Sequence, residues 1–342
     1  MKKNPTLKDL AKELELSVST VSRALQHHPA ISKKTIERTQ KLAEELGYFP
    51  NVVAKSLKNK SSRTIGVIVP EIRHFFFSSA IDGIEDVTYK EGYTIMVAKS
   101  NEDLEREVLN TEGLISNRVA GVIASISQST VQGLHFQRII ARGIPLVFFD
   151  RILDDLEVSK VVSNDFDSAY RTVNHLIESG YRRIAHLAGP PHLNISHKRL
   201  DGYKQALADN GLEINEDMII CCHLSEESGA RGTQILLSQS PRPDAICCVN
   251  DPVAVGVYQQ LRKVGLKIPD DMGVTGFSNN PITAMLSPAM TTVDQHGYEM
   301  GRTAAKILLE EINDERAVTT DQTYLVDGEL IIRESSQPKP GR

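Results

Sequence analysis

Apolar positions in the first fifty residues recur at helical spacing. Leu7, Leu10, Ala11 and Leu14 mark one face of a short helix. Thr6-Leu-Lys-Asp9 has the form of a capping box that opens it, with side chains at the first and fourth positions answering each other's backbone N–H groups. Ser17 starts a second short helix in which Val21, Ala24 and Leu25 face inward. Ser32 caps a third, with Ile36, Thr39, Leu42, Ala43 and Leu46 on its apolar face and Gly47 closing it. The next stretch, Asn51 to Asn59, is short and polar, with Val52, Val53, Ala54 and Leu57 as its only apolar residues, and Lys58 to Arg63 reads as a linker.

From Thr64 the period changes. Short apolar runs predict strands at Ile65–Val69, Thr94–Ala98, Val119–Ala124, Leu146–Phe149, Lys160–Val162, Ile184–Ala188, Met218–Cys222, Ala245–Val249 and Met272–Gly276. Helical stretches fall between most of them, among them Ser78–Glu91, Leu104–Asn117, Ser168–Ser179 and Pro252–Val264. This βαβ alternation predicts an α/β fold with parallel sheets covered on both faces. Ten or so strands over about 270 residues are too many for one open sheet of ordinary width, which points to two lobes. The tail Gln337-Pro-Lys-Pro-Gly-Arg342 is expected to be disordered.

Charge sharpens the division. The net charge of -5 hides an asymmetry: up to Arg63 there are thirteen Lys and Arg against six Asp and Glu, and beyond it 26 basic residues face 38 acidic ones. A small basic segment joined to a larger acidic body suits a nucleic-acid headpiece on a body that does not bind nucleic acid. The four cysteines form two adjacent pairs, Cys221-Cys222 and Cys247-Cys248, each in an apolar run. Neighbours on a strand point to opposite faces, so neither pair suits a disulfide or metal clip, and all four are expected as reduced, buried thiols. The polar, lysine-rich start carries no apolar core of a signal peptide, and no stretch approaches the roughly 20 apolar residues of a membrane helix. A cytoplasmic protein with no membrane partner is expected.

The first two helices, separated by Glu15-Leu16-Ser17, form a helix-turn-helix candidate. Its second helix would lie in the major groove with Ser17, Val18, Ser19, Ser22 and Arg23 towards the DNA. Arg23 suits guanine, whose O6 and N7 match its fork, and Val18 suits a thymine methyl. The serines and Thr20 suit phosphates as well as bases. On these residues alone, a plain three-helix bundle with a polar surface remains an alternative.

The stretch from Thr6 to Leu25, TLKDLAKELELSVSTVSRAL, resembles the headpiece of the lactose and galactose repressor family, as do Gly47-Tyr-Phe-Pro-Asn51 and Val53-Ala54-Lys55-Ser56-Leu57. The resemblance runs without gaps through the first sixty residues and covers nearly the whole chain. It implies a headpiece over 1–50, a hinge helix and linker over 51–63, and a two-lobed sensor over 64–335, ahead of a short tail over 336–342. The sensor would be two Rossmann-like lobes of periplasmic-binding-protein type. The first would span about 64–162 and 294–325, the second about 163–291 and 326–335. The resemblance further implies DNA contacts from Ser17, Val18, Ser19, Ser22, Arg23, Ser32, Thr35 and Asn51. Leu57, with Ala54 beside it, would wedge into the minor groove of an approximately palindromic operator, a role that suits apolar minor-groove side chains. The protein is then expected to be a homodimeric repressor without a cofactor or metal, its operator affinity set by a small-molecule effector, a carbohydrate or derivative.

In open α/β sheets ligands bind beyond the carboxyl ends of the strands. The turns at Leu187-Ala-Gly-Pro190, Asn250-Asp251 and Gly276-Phe277 are therefore expected to line a cleft. Effector-binding candidates carried over from the family are Phe76, Ser125, Asp150, Arg199, Asn250, Asp251 and Ser278. A carboxylate, an arginine and an amide together suit a polyhydroxyl ligand, whose hydroxyls both donate and accept. Asp150 and Arg199 fall on different lobes, so a ligand touching both would favour one lobe orientation. Two departures from the family pattern weaken a simple-monosaccharide reading: Ser278 stands where many members carry aspartate, and Gly297 where the lactose repressor has an aromatic residue. Nucleophile elbow, phosphate loop, zinc-protease and dinucleotide motifs are missing. The rival reading, a sugar-binding transport protein or sugar-processing enzyme on the same core, leaves the basic headpiece without a purpose.

Overall fold

The computed structural model describes residues 5–48, 62–313 and 321–338. They fall into two compact units, Met1–Ser62 and Arg63–Arg342. The expected hinge residues Asn51, Ala54 and Leu57 and the end of the tail, 339–342, lie outside the described residues.

In the first unit α1 (Leu7–Leu14), α2 (Val18–Leu25) and α3 (Lys33–Leu46) each begin on a hydroxyl cap. Thr6 and Asp9 form the capping box, and Ser17 and Ser32 accept from the N–H groups of Thr20 and Thr35. Glu15 and Gly47 end α1 and α3 in the left-handed region, with φ of 56° and 66°. Leu10, Ala11, Leu14, Val21 and Ala43 close the small core, with Leu7, Leu16, Leu25, Leu42 and Tyr48 packed against it. Leu46, expected on the apolar face of α3, is instead exposed, because it lies in the last turn.

The strands of the second unit are β1 (Thr64–Val69), β2 (Thr94–Lys99), β3 (Gly121–Ala124), β4 (Leu146–Phe149), β5 (Ser159–Ser163) and β6 (Ile184–Ala188). They continue with β7 (Ile219–Cys221), β8 (Ala245–Cys248), β9 (Gly273–Thr275), β10 (Thr292–Asp294), β11 (Thr323–Val326) and β12 (Glu329–Ile331). The helices are α4 (Phe75–Lys90), α5 (Leu104–Ser116), α6 (Leu134–Ile140), α7 (Asp165–Glu178), α8 (Asn194–Asp209), α9 (Glu226–Leu237), α10 (Asp251–Lys263), α11 (Ile282–Met285) and α12 (Gly297–Asn313).

Two parallel sheets define two lobes, one in the order β11-β5-β4-β3-β1-β2 and the other β7-β6-β8-β9. The short antiparallel pair β10–β12 lies where the chain passes between them. Every residue of β3, β4 and β5 is buried, as a parallel sheet covered on both faces requires. Edge strand β2 alternates between partly buried and exposed positions at its start. The helix expected at Ser78 begins at Phe75, so Phe76 and Phe77 occupy its first turn rather than a loop. Helix α12 lies close against α4. A Cβ on Gly301 would sit 2.0 Å from the Ala80 carbonyl oxygen, and one on Gly83 would sit 2.1 Å from that of Tyr298. Glycine at both positions is what allows the two backbones to approach.

All four cysteines are free, but only three are buried: Cys221, at the end of edge strand β7, is exposed. Burial pushes the Cys222 and Cys247 thiols up to about 11, and Cys248 well above its ordinary value, so all three stay protonated. Among the described residues no helix is long and apolar enough to cross a membrane, and no group of His, Cys, Asp or Glu side chains is placed to hold a metal ion.

Candidate functional site

In the first unit, α2 presents Val18, Ser19 and Arg23 to solvent while Val21 and Ala24 are buried beneath. Ser22 is partly covered on the same exposed side. Val18 is 42 % exposed. The Ser17 hydroxyl lies 2.8 Å from those of Ser19 and Thr20, and Ser32 and Thr35 are paired in the same way at the start of α3. These hydroxyls are thus held at helix N-termini, where N–H groups and the helix dipole favour a phosphate.

In the second unit, a narrow cavity lies between the lobes, at the carboxyl ends of the strands. Phe76, Asp150, Arg199, Asn250, Asp251 and Ser278 all line it. Ser125 does not. It is fully buried, and its hydroxyl accepts weakly from the Arg151 N–H at 3.4 Å.

Asp150 ends β4 with φ 58°. Asn194 reaches across from α8 of the second lobe, donating to the Asp150 carbonyl at 2.9 Å and accepting from the Ile152 N–H at 3.1 Å. The carboxylate itself is poorly satisfied. Gln295 Nε2 lies 3.4 Å away and Arg151 Nε 3.9 Å away, while the residue is only 4 % exposed. Burial therefore pushes its pKa up to about 6, against the pull of Arg151 and Arg199.

Arg199 lies in the second turn of α8. Its Nε and a terminal nitrogen meet Asp165 at 2.8 and 2.7 Å, its other terminal nitrogen donates to the Val249 carbonyl at 2.6 Å, and the guanidinium lies 3.6 Å from the Phe277 ring centre. Arg199 thus holds the second lobe together as well as facing the cleft. Burial of Asp165 outweighs even this partner, and its pKa is raised.

Asn250 caps α10 through its side-chain oxygen, which accepts from the Val253 N–H at 2.9 Å. Asp251 has a structural duty. It accepts from Thr292 at 2.6 Å and from the Asn280 N–H at 2.7 Å, fastening the turn after β9 to β10. Desolvation still raises its pKa to about 6.

Gln295 was missed by sequence reasoning, because it belongs to no motif and follows a three-residue strand. It bridges the cleft floor, donating towards Asp150 and accepting from the Ser278 hydroxyl at 3.0 Å. The departure at Gly297 has a steric reason. A Cβ there would lie 2.9 Å from the Phe76 carbonyl oxygen and 3.1 Å from its ring. Phe76 occupies the space that a side chain at 297 would need.

Residues 6–51 match the family model described as bacterial regulatory proteins, lacI family, and residues 173–336 match a periplasmic binding protein-like domain. The chain is 33 % identical over 336 residues to the HTH-type transcriptional repressor CytR of Escherichia coli strain K12, covering 98 % of this chain and 97 % of that protein. The chain belongs to the lacI family of bacterial regulatory proteins. It is 31 % identical to the ribose operon repressor of Haemophilus influenzae over 96 % of its length and 98 % of that protein's. Among solved structures, the Lac repressor dimer bound to operator and the anti-inducer ONPF aligns with TM-score 0.84 at 26 % identity, over 98 % of this chain and 99 % of that one. The transcriptional regulator CelR–cellobiose complex aligns with TM-score 0.73 at 27 % identity, over 97 % and 99 %. The protein is therefore a DNA-binding transcription regulator with a periplasmic-binding-protein-like sensor, and its relatives are repressors rather than enzymes.

Proposed function

We propose that the protein is a cytoplasmic, homodimeric repressor of an approximately palindromic operator, and that an uncharged polyhydroxyl compound in the lobe cleft sets its affinity for that operator. The exposed face of α2 supports the DNA part: Ser17, Val18, Ser19, Ser22 and Arg23 stand together on it. Arg23 reads a guanine, and Ser32, Thr35 and Asn51 take phosphates. Ala54 and Leu57 enter the minor groove from the hinge.

The observation that carries the effector part is the buried, under-satisfied carboxylate of Asp150, across the cleft from Asn250 and Arg199. A ligand hydroxyl can donate to Asp150 while a neighbouring one accepts from Asn250 or Arg199. Phe76 offers its ring to the apolar face of such a ligand. Arg151 and Arg199 already face the carboxylates of Glu102 and Asp165, which weakens the cleft as a site for a phosphate. A cellobiose complex and a ribose operon repressor among the relatives agree with a carbohydrate or derivative. Carboxylate and arginine side chains in a cleft also suit a transport protein or an enzyme, but a three-helix unit with capped, exposed polar helix starts serves neither.

A thermal-shift screen of sugars, sugar phosphates and nucleosides on the full chain tests the effector reading. A true effector at 100 times its Kd should stabilise by about 2.7 kcal/mol. A sugar phosphate that stabilises more than its unphosphorylated form would overturn the assignment of an uncharged ligand.

A further inference from the structure

The loop that follows β3 crosses the seam between the lobes at Gln128. The Gln128 carbonyl oxygen accepts from His192 Nε2 at 2.8 Å, and its side-chain oxygen accepts from the Leu224 N–H at 3.2 Å. His192 follows β6 and Leu224 follows β7, so both partners belong to the second lobe. On its own side, the Gln128 N–H donates to Glu102 Oε2 at 2.7 Å. The same carboxylate accepts from one terminal nitrogen of Arg151 at 2.9 and 3.0 Å. Arg151 and Leu224 line opposite walls of the cavity, and Glu102 and Gln128 do not line it. A chain of polar contacts thus runs from Arg151 through Glu102 and Gln128 to Leu224, passing behind the cavity rather than through it.

The parts of this chain are held firmly. Glu107, fully buried, takes the Ser127 N–H at 2.6 Å and the Thr130 hydroxyl at 2.7 Å, fixing the loop on both sides of Gln128. The Ser129 hydroxyl donates to the Glu102 carbonyl at 3.1 Å. Asn101 and Glu102 are both left-handed, with φ of 58° and 59°. Side chains other than glycine hold such backbone only where their surroundings over-determine it. Here the carboxylate of Glu102 is bound on two sides.

We infer that Glu102 and Gln128 are positioning residues that clamp the two cleft walls together through Arg151 and Leu224. An occupant that draws on Arg151 then alters the lobe seam without touching it. That consequence rests on the cleft being the effector site. The clamp itself is present without any ligand, so it is testable alone. This is an energetic coupling through a contiguous contact network, and it needs a coupling measurement.

Hydrogen exchange on the full-length chain, without ligand, provides it. Gln128→Ala removes the acceptor of the Leu224 N–H and leaves the Glu102 link intact. It should speed exchange of that amide roughly tenfold, while the amides of β6 in the same lobe stay at wild-type rates. Glu102→Ala, in the other lobe, should speed Leu224 exchange to a similar extent. Wild-type exchange at Leu224 in Gln128→Ala would show that the seam contact is not made in solution. Wild-type exchange there in Glu102→Ala, with only the Gln128 amide released, would reduce Glu102 to a local staple of its own loop. Either result overturns the clamp. If Glu102→Ala also speeds exchange in β6, the fold itself has loosened and Glu102→Gln decides: it keeps the shape but replaces the carboxylate that holds Arg151 with a neutral amide, and an unchanged Leu224 rate again overturns the inference. Failure of the effector reading would appear elsewhere, as a cleft that no compound stabilises, and would leave these rates untouched.

Discussion

Asp150→Asn should make the ligand-free protein more stable at neutral pH. The carboxylate is 4 % exposed, with Gln295 at 3.4 Å and Arg151 Nε at 3.9 Å as its partners. Its pKa rises from 3.8 to about 6, burial being the largest cause. A group whose folded pKa is raised in this way holds its proton more tightly in the folded than in the unfolded chain. Ionising it at neutral pH therefore costs at most about 3 kcal/mol of folding free energy. Asparagine keeps the shape without the charge and removes that cost. For a unit of this size the gain corresponds to a rise in Tm of about 5 °C. The sign with pH is fixed. The difference between variant and wild type should be full above about pH 6, shrink as the pH falls towards 4, and vanish below it, where both side chains are neutral. The assay is a comparison of Tm for the two proteins from pH 4 to pH 8. Asp251 and the other carboxyls titrate in both proteins and cancel in the difference. A gain that does not change with pH, or no gain at pH 7.5, would refute the argument that Asp150 is held ionised at the expense of stability for the sake of a ligand.

Affinity for operator DNA should fall steeply with salt as headpiece cations displace counterions, and a flat log–log plot in a binding titration would count against the headpiece. Arg23→Ala should weaken specific binding by about 1–3 kcal/mol and nonspecific binding less, and equal losses on both DNAs would make Arg23 a phosphate contact. Arg199→Ala leaves Asp165 buried and unpaired, so urea unfolding should show a loss of about 3–5 kcal/mol at neutral pH. Gly301→Ala drives a methyl into the Ala80 carbonyl. It should destabilise by about 1–3 kcal/mol with a lowered urea midpoint, and a neutral outcome would mean that α12 and α4 can separate freely.

Local rules carried the headpiece and the outline of the sensor. Three helices with hydroxyl caps, a left-handed glycine at the end of α3 and an apolar face at helical spacing all depend on neighbours a few residues apart. So does most of the αβ alternation, because strands buried on both faces, such as β3 and β4, read as apolar runs. The family resemblance, in turn, brought Phe76, Asp150, Arg199, Asn250, Asp251 and Ser278 to one cleft before their positions were known. What chain order does not contain is the environment of each side chain. Ser125 and Asp150 both end strands of the first sheet, yet only Asp150 lines the cleft. Arg199 reads as a ligand contact in the sequence, and only the fold shows Asp165, 34 residues earlier, neutralising it. Strands β10 to β12 are three or four residues long, too short to show a period; β10 and β12 are defined by pairing with each other at the lobe junction, and β11 by pairing with β5 at the edge of the first sheet. Gln295, the Glu102–Gln128 seam and the raised pKa of Asp150 follow from that assembly. Hydrogen bonding and desolvation are properties of what surrounds an atom in space, and distant segments supply those surroundings only once the two lobes have closed over them.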